Sequence, residues 1–223
     1  MEWQDFFKLL HVITFVYWVG ADIGVFYAAR LVVNPQYTPQ TRANILKILD
    51  WIDQIPRYML LATFPVGATL AANLAISPIT GFWLYAVWIV AIGWMWVITH
   101  LHKHHGKPKA LAQADLAARA LLIAALVVTG IMSINGDGPF LRDWLGWKVL
   151  LFGCAVACGF GIRIAFRPFG PAFAQLMKEG SSPPVEAAMK KALDNAVPFV
   201  IGIWVFASAA AFLGLSHERL FGS

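Results

Sequence analysis

The stretch DFFKLLHVITFVYWVGADIGVFYAARLVV (Asp5–Val33) decides the fold. Between Lys8 and Arg30 it holds one formal charge, Asp22, and it exceeds the roughly 20 apolar residues a helix needs to cross a bilayer core. Lipid satisfies no backbone hydrogen bond, so a spanning segment is either a helix or a strand of a closed barrel, and the apolar–polar alternation of a barrel strand is not there. The segment also lacks a basic region followed by a short apolar run and a small-residue cleavage site, so it is expected to insert and stay. Five further segments have the same character, at 56–76, 81–101, 115–134, 144–166 and 196–215. The expected fold is all-α, a polytopic membrane protein built as one six-transmembrane-helix bundle. Pro56 and Pro198 are placed at the openings of the second and sixth spans, where a missing N–H costs little.

Working outward, the composition agrees. The 223 residues are 59% hydrophobic and 13% charged, with ten tryptophans, too few polar residues to cover a core in water. Disorder, collagen, a disulfide scaffold and an ordinary soluble enzyme are excluded. The net charge of +5 sits in short connectors: Arg42, Lys47 and Arg57, then Lys103, Lys107 and Lys109, then Arg167, Lys178, Lys190 and Lys191. That is a topology signal and not a phosphate-binding stripe, so no nucleic-acid partner is expected. The alternate connectors carry no basic residue (77–80) or only Arg142 beside Asp137 and Asp143. Basic loops are expected on the cytoplasmic side of a bacterial-type inner membrane, both termini outside, with Trp3, Trp83, Trp144 and Trp147 forming an outer aromatic belt. Asn44–Trp51 interleaves apolar residues with Lys47 and Asp50, as an interfacial helix does. Cys154 and Cys158 share a helix face as core packing, since one helix cannot join them.

The residues able to carry chemistry begin on the first helix. At about 100° per residue, Trp18 and Asp22 lie within about 20° of the direction of His11. Such a stripe is costly in lipid and is expected to face the bundle interior, with His11 about 10 Å from the midplane. A neutral imidazole there is an iron or copper ligand, or a histidine bonded to a backbone carbonyl. Asp22 is read as a proton-handling group or the partner of Arg30, Arg119 or Lys148. In THLHKHH (Thr99–His105), His100 and His104 have metal-ligand spacing, against the plainer reading of a solvated topogenic cluster. Lys148 either snorkels or pairs with a carboxylate. Asn195 opens the last span and reads as an N-cap.

These pieces together resemble the HemJ-type protoporphyrinogen oxidases. His11 and Trp18 followed by GVFYAARL (Gly24–Leu31) are similar to that family's first helix, where a histidine and a tryptophan precede G-L-F-Y-x-x-R-L. WLGWKVLL (Trp144–Leu151) resembles its tryptophan–leucine–x–x–lysine helix start and places Lys148 on the lysine. NAVP (Asn195–Pro198) resembles its asparagine–glutamate–valine–proline motif, and IPRYMLLATFPVG (Ile55–Gly67) its second helix, with Met59 on the methionine. CopD-like copper-resistance membrane proteins have a similar first helix. Three features depart from the family: Ala196 replaces the acidic residue, about three extra residues including Asp22 precede GVFYAARL, and six spans replace four.

The resemblance implies haem b held by His11, with Trp18, Lys148 and Asn195 around it and Lys148 facing a propionate or substrate carboxylate. By helical rise His11 and Met59 lie about 20 Å apart in depth, so Met132 in TGIMSI, at the level of His11, is the better second ligand, with Met59, His100 and His104 weaker ones. The implied function is redox chemistry on a porphyrin, quinone or other small membrane substrate; the catalytic candidates are Lys148, from the resemblance, and Asp22, which the family pattern lacks and which is read as handling protons. The alternatives are a copper-handling or transport protein and a non-catalytic subunit of a membrane complex. The lipid bilayer is the expected partner, with a homo-oligomer or a larger membrane complex also open.

Overall fold

Each apolar run closes its own backbone hydrogen bonds as a helix, and turn residues break the chain between runs. The computed structural model describes residues 3–104 and 107–221, with side chains up to Ser216. It is all-α: α1 (Trp3–Val32), α2 (Pro39–Ile52), α3 (Gln54–Asn73), α4 (Gly81–Lys103), α5 (Lys109–Ile134), α6 (Asp143–Ala165), α7 (Phe169–Glu179) and α8 (Pro183–Phe221). Helices α1, α4, α5, α6 and α8 are long and apolar enough to cross a membrane. Their outward faces are apolar, as Ile89 (70% exposed) and Leu121 (71%) illustrate. That is the surface of a protein solvated by lipid. This is a multi-pass membrane protein by helix length and composition.

Six helices pack in a ring: α1 on α3, α3 on α4, α4 on α5, α5 on α6, α6 on α8, and α8 back on α1. Helix α3 is less apolar than the other five because Gln54, Arg57, Tyr58, Thr63 and Thr69 dilute it. It buries Leu61, Pro65, Val66, Ala68 and Ala71, and so depends less on its own hydropathy. The seams of α6 are the closest. A Cβ on Gly130 of α5 would lie 2.8 Å from the Leu150 backbone nitrogen, and one on Gly153 would lie 3.0 Å from Leu126 Cβ. Small residues let helices approach in this way where lipid gives no hydrophobic drive.

The two ends of the bundle differ. At one end the loops after α3 and α5 meet, the Leu141 N–H donating to the Ile76 carbonyl at 3.3 Å. At the other, basic end, α2 and α7 form a layer with the first turns of α8. Val32, Phe169, Leu176, Val185 and Met189 are its core, with Ile45, Leu46 and Leu49 of α2 packed against it. Thr38 caps α2, its Oγ1 accepting from the Thr41 N–H at 3.2 Å, and Pro39 takes the first position, where no N–H is needed. Fully buried Arg42 ties the layer together. Its Nε donates to the Val32 carbonyl that ends α1 (2.5 Å), and Nη1 and Nη2 donate to Glu186 at 2.7 and 2.9 Å.

The last helix corrects one expectation. Pro198 and Asn195 do not open it: α8 begins at Pro183, and Pro198 lies inside it. Both residues are on its exposed side, where the carbonyl freed by proline crowds no neighbour, and a membrane helix tolerates the interruption. The run from Pro183 to Asp194 looked like a connector because of its charges, which belong to the basic-end layer.

Candidate functional site

His11, Trp18 and Asp22 follow one another along the side of α1 that meets the bundle. Trp18 is 5% exposed and clusters with Ala155 of α6, Ile203 and Ala207 of α8, and Met59 of α3. Its ring meets Phe152 edge-on, centroids 5.9 Å apart. Asp22 Oδ2 accepts from the Trp204 indole N–H of α8 at 2.8 Å. None of the cations foreseen as its partner takes that place: Arg30 lies over the Phe26 ring, and Arg119 pairs with Asp115.

His11 is fitted against glycine. A Cβ on Gly67 of α3 would lie 3.1 Å from the imidazole Cε1, so the missing side chain is the space the ring edge uses. Among the described residues the buried Nδ1 has no hydrogen-bond partner. A buried polar nitrogen without a partner costs free energy and calls for an explanation. Lys148 of α6 too sits against a glycine, its Nζ 2.5 Å from where a Cβ on Gly214 of α8 would be. Four helices thus place an imidazole and an ammonium in the same region, at the end away from the basic layer.

The other residues read from the sequence lie apart. Met132 is 42% exposed on α5, a helix that does not touch α1. Met59 is about 12 Å along α3 from Gly67, eight residues at 1.5 Å each. Asn195 is about 28 Å along α8 from Gly214, at the basic end. His100 and His104 stack with ring centroids 4.1 Å apart, and His104 Nδ1 lies 2.9 Å from the His100 carbonyl, so they do not converge on a common point. Among the described residues no three His, Cys, Asp or Glu side chains gather to hold a metal ion.

A second polar group lies where α4, α5 and α6 meet, outside the sequence expectations. Asp115 of α5, its side chain 1% exposed, accepts from Trp94 of α4 (2.7 Å), Arg119 (3.1 Å) and Arg163 of α6 (3.0 Å). The signal is in the sequence: Asp115 and Arg119 stand four apart inside an apolar run, as helical ion pairs do. Beside this group lies an apolar cavity of about 500 Å³ between α3, α4, α5 and α6. His11 is not among its lining residues; Phe152 is, meeting Trp18 on one side and stacking on Phe64 at 6.2 Å on the other.

Comparison with protein families, curated proteins and solved structures finds no match to this chain.

Proposed function

We propose that the chain is an inner-membrane redox protein that holds haem b through His11, and that it works on a porphyrin, a quinone or another small membrane substrate. The observation that carries this reading is the His11 imidazole, half-buried in the bundle against Gly67, with its buried Nδ1 unpartnered among the described residues. Such a nitrogen could hold a haem iron, and the resemblance of the first helix to the HemJ-type oxidases points to the same residue. Bound haem would supply the one-electron chemistry, for which protein scaffolds provide binding, orientation and electrostatics.

The chain's own residues then have separate tasks. His11 would hold the iron. Lys148 offers a positive charge to a propionate or a substrate carboxylate. Trp18 and Phe152 close the space beneath and keep water from it. Asp22, held by Trp204, carries the proton that accompanies an electron. By the positive-inside rule the basic layer of α2, α7 and the first turns of α8 faces the cytoplasm, all six ring helices span, and His11 lies in the outer half.

Absorption spectroscopy of the purified protein, with elemental analysis, tests this. A Soret band with about one iron per chain is expected. Stoichiometric copper without a Soret band would replace the proposal with the copper-handling alternative.

A further inference from the structure

The cavity between α3, α4, α5 and α6 has one polar end. Leu61, Phe64, Trp83, Val90 and Phe152 line its apolar length, which opens to the outside at Trp83 and Val90, and Arg119 is the charged side chain in its lining. The Arg119 side chain is 9% exposed. Its Nε donates to Asp115, its carbon end lies 5.4 Å from the centre of the Trp94 ring, and its Nη2 is buried with no hydrogen-bond partner. An unmet guanidinium donor in an apolar wall is a recognition element, because a site built around it rejects ligands without an acceptor.

Charge narrows the ligand. Arg119 and Arg163 share the single carboxylate of Asp115, while Arg57 and Asp53 pair with each other. Three cations and two anions leave one positive charge on the group, shared between Arg119 of α5 and Arg163 in the last turn of α6. A neutral acceptor would satisfy the donor and leave that charge unbalanced; a monoanion does both, and a carboxylate matches the planar guanidinium. Length narrows it further. From Trp94, beside Arg119, to Trp83 at the other end is eleven residues of α4, about 16 Å. That is close to one leaflet of a hydrocarbon core about 30 Å thick.

We infer that this cavity binds a long-chain carboxylate, its head on Arg119 Nη2 and its chain running toward Trp83. The site is independent of the His11 proposal, and either can fail alone.

The test is binding of tritiated palmitate to the immobilised full-length protein, competed with unlabelled palmitate, hexadecanol and phosphatidylglycerol. Palmitate should compete at least tenfold better than hexadecanol, which has the same chain without the charge. Arg119→Gln should weaken palmitate at least tenfold and erase its advantage over the alcohol; Asp115 keeps Arg163 and Trp94 in that variant. Ala86→Phe fills the cavity and touches no charge, so it should abolish binding even if Arg119→Gln fails to fold. Equal competition by hexadecanol, or stronger competition by phosphatidylglycerol, would overturn the inference, as would undiminished binding to Ala86→Phe.

Discussion

Asp22 accepts one hydrogen bond, from the Trp204 indole, and has no ion-pair partner among the described residues. An ionisable side chain at such depth is a functional group by default, and its proposed task can be separated from a structural one. Asparagine keeps a carbonyl to accept from Trp204 but cannot release a proton. In Asp22→Asn, haem content should therefore match wild type while turnover per haem, with a soluble quinol or porphyrinogen as donor, falls at least tenfold. Equal turnover per haem would remove Asp22 from the proton path. Lys148 is tested by size and charge together: Lys148→Met keeps the stem against Gly214, and should weaken retention of haem or of a carboxylate substrate while the helices stay assembled. The stripe itself was legible in the sequence, since spacing alone puts His11, Trp18 and Asp22 on one side of a helix. Their partners were not: Gly67, Trp204 and Gly214 come from other helices, and no periodicity announces which glycine makes room for which ring.

Between elements, stability rests on two kinds of contact. At the α5–α6 seam the backbones meet at Gly130, where a Cβ would crowd the Leu150 backbone and its Cβ, at 2.8 and 2.9 Å. Backbone atoms cannot move aside as a flexible side chain does. Gly130→Val should thus cost about 1–3 kcal/mol, typical of overpacking, read as a lowered unfolding midpoint in detergent. At the basic end Arg42 joins the end of α1 to the start of α8. Arg42→Met strands the Val32 carbonyl and leaves Glu186 only the Ser181 hydroxyl, at 2.7 Å, and breaking a buried pair from one side costs about 3–5 kcal/mol. Glu186 is partly solvated (16% exposed), which favours the lower end of that range. The double variant Arg42→Met/Glu186→Leu should recover much of the loss, because no buried charge is left unpaired; recovery of none would mean the guanidinium acts mainly through Val32. The amphipathic α2 was readable from Asn44–Trp51. The unbroken α8 was not, because Pro198 reads as a start signal, and only the packing of Val185, Met189 and Ala192 against α7 and α2 carries the helix back to Pro183.

For the whole molecule, the all-α architecture was readable because hydropathy and length act locally, whereas the ring order and the Asp115–Arg119–Arg163 group depend on which faces meet. Sidedness remains the proposal most open to direct test. Reporter fusions after Gly180 should read cytoplasmic and one after Gly136 external; the reverse would invert the bundle and put His11 in the inner half. The central claim is that His11 holds a haem, and the most direct measurement is the Soret absorbance per chain of purified wild type, His11→Ala and His104→Ala. The account predicts a Soret band in wild type, its loss in His11→Ala with membrane insertion intact, and near-wild-type absorbance in His104→Ala. A band that survives His11→Ala and disappears in His104→Ala would contradict it.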